Sequence, residues 1–178
     1  MTLRSILAAT LVAGVAITAV SAQQVTKEDV PGIRNFARLE TTIACGGATE
    51  PQAMPALKQM GFASVVNLRL ATEPNANVPA AEAAAKAANL NYIHIPFSGQ
   101  KPDPAAADRF LEEIIKPANE PAFVHCAGGN RAASMWMIKR LVVDKWDADR
   151  AAEEATALGM TSPALRQFAI DYAASKAP

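Results

Sequence analysis

The chain has 178 residues, 51% of them hydrophobic, with 17 basic and 17 acidic side chains and a net charge of zero. That is enough length and apolar content for one domain with its own core. The absence of a basic excess argues against nucleic acid as a partner, and the absence of a charge run argues against a membrane surface.

The chain opens with Met1-Thr2-Leu3-Arg4, runs apolar over 6–20, and then offers the small-residue exit Val20-Ser21-Ala22 before Gln23. This is the pattern of a secretory signal peptide at 1–22. The apolar run has 15 residues including two threonines, short of the roughly 20 that a spanning helix needs. No cysteine follows the cleavage point to take a lipid. The expectation is a secreted or periplasmic protein, with no membrane attachment after cleavage.

Residues 23–35 are polar and carry Pro31-Gly32, and read as an N-terminal arm leading into a domain over 36–176. Two short strands follow at 36–39 and 42–45, with Gly46-Gly47 as a turn. Thr49-Glu50-Pro51 supplies a helix start with a cap candidate and a proline in the first turn, and Gly61 stops that helix. Residues 62–68 read as a buried strand from the β-branched pair Val65-Val66, with Arg69 at its exit. The Ala-rich stretch 78–89, with Glu82 and Lys86 at i,i+4, reads as a surface helix. Residues 91–95 form a strand closed by Pro96, and 98–102 a loop. Asp103-Pro104 caps a helix through 115 whose apolar stripe is Phe110, Leu111 and Ile114. After Glu120-Pro121 a strand runs into Cys126, followed by helices over 131–143, 148–158 and 162–174.

Strands alternating with helices of about ten residues indicate an α/β domain, a mainly parallel central sheet flanked by helices. In such sheets ligands bind beyond the carboxyl ends of the strands, where Cys126, Arg69 and the 98–103 loop would converge. Between the last strand and the long helix lies His125-Cys126-Ala127-Gly128-Gly129-Asn130-Arg131. Gly128 and Gly129 let the backbone curl so that several N–H groups point inward, and the helix N-terminus behind them favours an anion. A cysteine held there has its thiolate stabilised by the helix end and by Arg131, which makes Cys126 a candidate nucleophile. The plainer reading of the two cysteines is a structural disulfide between Cys45 and Cys126, since both would meet an oxidising compartment.

These residues resemble a family. Gly47, Leu57, Gly61-Phe62, Val65-Val66-Asn67-Leu68-Arg69, Tyr92-Ile93-His94-Ile95-Pro96 and Val124-His125-Cys126 ending in Arg131 look like the dual-specificity branch of the cysteine phosphatases. Within it they look most like the bacterial beta-lactamase-hydrolase-like phosphatase domains. The resemblance runs from Phe36 to about Leu158. It implies a cysteine phosphatase-like fold, with Cys126 as nucleophile and His125 orienting the loop. The amides of Ala127, Gly128, Gly129, Asn130 and Arg131 would hold the anion's oxygens, and Arg131 would clamp two of them. It implies a small anionic substrate and neither metal nor cofactor.

Three features differ from the family pattern. Four residues separate Cys126 from Arg131, where the phosphatase loop has five. Ala132 stands where a Ser or Thr follows the arginine, and Ser134 is poorly placed to replace it. Ile95-Pro96-Phe97-Ser98-Gly99 carries no general-acid carboxylate; Asp103 is the nearest replacement, set against its role as a helix cap. The short spacing is also similar to the active loop of rhodanese-type sulfurtransferases, in which the cysteine carries a persulfide and no general acid is required. The expectation is a cysteine-dependent phosphatase-like hydrolase. Sulfur transfer through Cys126 is the alternative, and a non-catalytic anion-binding or redox module the second alternative. Arg69 reads either as a second anion clamp or as the partner of a nearby carboxylate, His94 as a structural histidine, and Met135, Trp136 and Met137 as core.

Overall fold

Strands Ile43–Gly46 (β3), Ser64–Asn67 (β4) and Ala122–His125 (β6) are buried at every position, as strands covered on both faces must be. They form the middle of a six-stranded sheet in a computed structural model that describes residues 24–177. The expected signal peptide at 1–22 lies outside the described residues. Val25–Val30 (β1), Ile33–Leu39 (β2) and Asn91–His94 (β5) complete the sheet, in the order β1-β2-β3-β6-β4-β5. β3, β6, β4 and β5 run parallel to one another, β2 pairs antiparallel with β3, and β1 pairs antiparallel with β2. Among the described residues no helix is long and apolar enough to cross a membrane.

The arm expected over 23–35 is instead part of the sheet. Pro31-Gly32 makes the turn of a hairpin, Gly32 taking a φ of +78°, and β1 pairs with β2 from Val25↔Leu39 to Val30↔Ile33 with a bulge between Glu28 and Val30. Its sequence, Val-Thr-Lys-Glu-Asp-Val, shows no apolar alternation because β1 is an edge strand with four exposed central residues. Backbone pairing, rather than burial of side chains, places it there.

The two faces of the central strands sort the helices. Val124, Val66 and Cys45 face a cluster completed by Pro104–Ile114 (α3), Asn130–Val142 (α4), Ala148–Ala157 (α5) and Pro163–Ser175 (α6). Phe123, Val65 and Ala44 face the opposite cluster, with Met54–Gln59 (α1) and Val78–Ala87 (α2). There Phe123 stacks on Phe36 at 5.8 Å and meets Phe62 at 6.1 Å. α4 is the central helix, buried from Ala132 to Ile138, so Met135, Trp136 and Met137 are core. Its Arg140 lies between the rings of Trp136 and Trp146, at 4.7 and 4.1 Å, and pairs with Glu154 at 2.7 Å.

The helix expected from Thr49 begins later. Thr49 turns its hydroxyl to the Gly47 carbonyl, Pro51–Ala53 forms a single 3-10 turn, and α1 follows until Gly61 stops it at a φ of +91°.

Candidate active site

The parallel strands deliver four chain exits to one end of the sheet. Gly46 and Gly47 leave β3, Leu68 and Arg69 leave β4, Ile95 to Phe97 leave β5, and Cys126 leaves β6. Their backbones are laced together: Cys126 N–H donates to Gly46 O at 3.2 Å, Leu68 N–H to His125 O at 2.9 Å, and Phe97 N–H to Leu68 O at 3.1 Å. The anion loop is therefore held by the spacing of the strands beneath it. Beyond it, Gly129 takes a φ of +104° and α4 starts.

Cys126 is buried at the base of this loop, and the Gly129 amide donates to its Sγ at 3.1 Å. An N–H aimed at sulfur from the first turn of a helix stabilises negative charge on that atom. The loop is closed against β3 by Ala48 N–H to Ala127 O at 2.9 Å and by a bridge between Gly47 and Gly128. A side chain at position 47 would put its Cβ 3.0 Å from both Ala127 O and Arg34 O, backbone atoms that would have to shift to admit it. On the outer side Asn35, in the left-handed region at φ +52°, donates from Nδ2 to Gly128 O at 3.2 Å.

Arg131 is anchored on its far side. Nη1 donates to Leu68 O at 3.2 Å and Phe97 O at 2.8 Å, the exits of β4 and β5, and Nη1 and Nη2 together grip Glu73 at 2.6 and 2.9 Å. Gly99 lies against the aliphatic stem of Arg131. On its near side the guanidinium interacts with Cys126. Burial works against the guanidinium charge, but the Glu73 carboxylate and the Cys126 thiolate outweigh it and raise its pKa above the ordinary value.

Glu73 is the residue that sequence reasoning did not single out. It accepts from Arg131, from Arg69 Nε at 3.2 Å and from the Leu70 N–H at 2.9 Å. Burial opposes its ionisation, yet these donors, Arg131 foremost, hold its carboxyl at about 2. The legible signal was the spacing Arg69-Leu70-Ala71-Thr72-Glu73, an acid four residues after a strand-end arginine. Arg69 itself is buried, with Nη1 on Asn75 O at 3.1 Å and Nη2 on Pro74 O at 2.5 Å. Its guanidinium thus braces the loop after β4 and holds Glu73 rather than opening toward a ligand.

The remaining candidates fall into place around this centre. The Asn130 amide belongs to the loop, but its side chain turns away: Oδ1 accepts from the Thr161 and Ser162 N–H groups at 2.5 and 2.9 Å, and Nδ2 reaches Thr161 Oγ1 at 3.0 Å. It ties the loop to the α5–α6 connection. His125 lies under the loop with its ring flat on Phe123, 5.6 Å away at 7°. Burial first, then Arg69, pushes its pKa down to about 3, so the imidazole is neutral. Neither ring nitrogen has a hydrogen-bond partner, although backbone groups of Cys126 and Gly47 partly oppose the downward shift. His94 Nε2 lies 2.8 Å from Arg69 O, a structural contact. Ser134 is buried and donates to Leu165 O at 3.2 Å, away from Cys126. Asp103 is exposed, and its Oδ1 accepts the Ala105 N–H at 3.0 Å, the bond of a helix N-cap.

Cys45 and Cys126 are both free thiols. They belong to the same cluster on neighbouring strands, Cys45 standing opposite Val124. Burial raises the Cys45 thiol pKa, and the charges of Cys126 and Glu154 add to that effect. Beside the loop, a cavity of about 640 Å³ is lined by Lys27, Asn35, Phe36, Gly128, Asn130 and Leu158, with Glu28 and Asp29 also on its wall. The volume suits a small organic ligand.

Comparison with known proteins bears on the family and the fold. Residues 35–143 match the family model described as Beta-lactamase hydrolase-like protein, phosphatase-like domain. Over 108 residues the chain is 31% identical to the Beta-lactamase hydrolase-like protein of Agrobacterium fabrum (strain C58 / ATCC 33970), a match covering 57% of this chain and 24% of that protein. The chain thus spans about a quarter of that relative's length. A DUF442 protein of Shewanella putrefaciens CN-32 superposes with a TM-score of 0.70 at 21% identity, covering 84% of this chain and 97% of the other. The core catalytic domain of the PP-IP phosphatase SIW14 from S. cerevisiae does so with a TM-score of 0.65 at 18% identity, covering 81% and 88%. At these identities the structures speak for the fold, which is that of the cysteine phosphatases. On the family match, the chain belongs to the phosphatase-like domains of the beta-lactamase hydrolase-like proteins.

Proposed function

We propose that the protein is an exported cysteine-dependent phosphatase that acts on a small anionic phosphate ester. The observation that carries this reading is Cys126 Sγ at the start of α4, accepting the Gly129 N–H at 3.1 Å, with Arg131 fixed beside it by Glu73. The Cys126 thiolate attacks phosphorus and the bond to the ester oxygen breaks. The loop amides from Ala127 to Arg131 and the Arg131 guanidinium hold the phosphoryl oxygens as their charge redistributes. Water then adds to the phosphocysteine, the thiolate departs, and inorganic phosphate leaves, with one water proton passing to solvent. His125 supports the loop from below as a neutral ring. Arg69 acts through Glu73 on Arg131.

An aryl phosphate assay and a thiosulfate-plus-cyanide assay, run side by side on reduced protein, test the reaction class. The reading expects phosphate release that disappears in Cys126→Ser while the fold, followed by circular dichroism, persists. Turnover retained in that variant refutes a cysteine mechanism, and thiocyanate formation alone would replace hydrolysis with sulfur transfer, which the family match does not favour. Export rests on the 1–22 pattern, and is tested by finding a mature N-terminus at Gln23 in protein recovered from outside the cytoplasm.

A further inference from the structure

The proposed reaction needs a place for the electron pair on the departing ester oxygen. In general acid catalysis a carboxyl or similar group protonates that oxygen as the bond breaks, which contributes roughly 10² to 10⁴ in rate for poor leaving groups. Among the described residues, the titratable groups around the loop are either engaged elsewhere or line a cavity whose wall includes neither Cys126 nor Arg131. Glu73 is locked by Arg131 and Arg69 and is ionised down to about pH 2. Asp103 spends its Oδ1 on the first turn of α3. The segment that crosses Arg131 after β5 is Phe97-Ser98-Gly99-Gln100, without a carboxylate, and its next charged residue is the exposed cation Lys101. Buried His125 is neutral beneath the loop, buried Cys45 faces the core, and His94 is held on Arg69 O. Lys27, Glu28 and Asp29 line the neighbouring cavity from the exposed edge strand β1.

From this arrangement we infer that the site takes phosphoryl groups from leaving groups that depart as stable anions, aryl esters or phosphoanhydrides, and discriminates against alkyl esters. The inference rests on the phosphatase reading and narrows it. In the first step the sulfur–phosphorus bond forms and the phosphorus–oxygen bond breaks with its electron pair on oxygen. An aryl oxide or a phosphate accommodates that charge and takes a proton from water after it has left. An alkoxide does not, so its ester reacts slowly. The second step is the attack of water described above, in which the leaving group is already the Cys126 thiolate and no further acid is needed.

The test is a leaving-group series on the full mature protein: dinitrophenyl, nitrophenyl and phenyl phosphate, an alkyl phosphate, and inorganic pyrophosphate, each with Cys126→Ser as control. The reported quantity is kcat/KM, which covers steps through the first bond cleavage. The expected result is a fall of roughly 10² to 10⁴ from the nitrophenyl to the alkyl ester, with no loss of kcat/KM on the alkaline side assignable to an acid. Whether pyrophosphate or the aryl esters are turned over faster decides which of the two sources of such a leaving group the site is shaped for. Cys126-dependent turnover that is flat across the series would overturn the inference and leave the phosphatase reading standing. So would an alkaline limb that disappears in Asp103→Asn, Glu28→Gln or Asp29→Asn, because it would reveal an acid in place. If no member of the series is hydrolysed in a Cys126-dependent way, the phosphatase reading falls and this inference with it.

Discussion

Replacing Glu73 with Gln removes one negative charge from between two arginines and keeps the side chain's size. In the native protein Arg131 grips both carboxylate oxygens and Arg69 takes one of them. The side chains of Arg131 and Glu73 are only 11% and 19% exposed. The carboxyl moves from an ordinary 4.5 to about 2 on folding, which at about 1.4 kcal/mol per unit sets an upper bound near 3.5 kcal/mol of stabilisation. Solvent at the partly exposed carboxylate screens this, and about 1–2 kcal/mol is the expected loss at neutral pH. Because the pKa is depressed in the folded state, the stabilisation is complete above about pH 4.5 and disappears as pH falls toward 2. Urea unfolding of wild type and Glu73→Gln should therefore differ by about 1–2 kcal/mol at pH 6, and the difference should shrink steadily below pH 4.5. Arg131, released on its far side, should also bind inorganic phosphate about tenfold more weakly in the variant, measured at neutral pH by calorimetry. A stability difference that stays constant from pH 6 to pH 3, or that grows in acid, would refute the assignment of Glu73 as the charge that fixes Arg131.

Asn130→Ala removes the acceptor of the Thr161 and Ser162 N–H groups, and should cost about 0.5–1.5 kcal/mol and raise KM more than it lowers kcat, which steady-state kinetics on an aryl phosphate will separate. His125 is neutral when folded, with a pKa of about 3 against an ordinary 6.5, so the unfolded chain binds its proton first and stability should fall as pH drops from 6.5 toward 4; His125→Gln should flatten that part of the urea-derived stability curve, above the window in which Glu73 titrates.

What the sequence showed clearly was what depends on neighbours along the chain. Cys126, the glycine pair and the helix start behind them are contiguous, and the pattern of strands and helices around them obeys local periodicities. Asp103 before Pro104 carried its cap in its own spacing. The failures are of two physical kinds. β1 was missed because an edge strand is fixed by backbone pairing and leaves no apolar alternation in Val25–Val30 to read. Glu73 was missed because its main partner lies 58 positions away, and nothing local distinguishes it from a solvated surface acid. Arg69, left between ligand clamp and ion-pair partner, could have been settled by the acid four residues downstream. Asn130 was read only through its amide; its side chain, which serves the α5–α6 connection, has partners 31 and 32 positions away that nothing local announces.

The ties that shape the anion loop have a consequence for how activity is gained and lost. Asn35 and Gly128 are 93 positions apart, Glu73 and Arg131 are 58 apart, and Asn130 and Thr161 are 31 apart. Each tie closes a long loop of chain, whose entropic cost must be met before the contact contributes. The cradle is therefore expected to form late in folding, after α4 and the β1–β2 hairpin. During unfolding it should open before the central strands do, so that anion binding is lost ahead of secondary structure. Under the export proposed above, this arrangement would leave the Cys126 site unformed until the whole domain has come together.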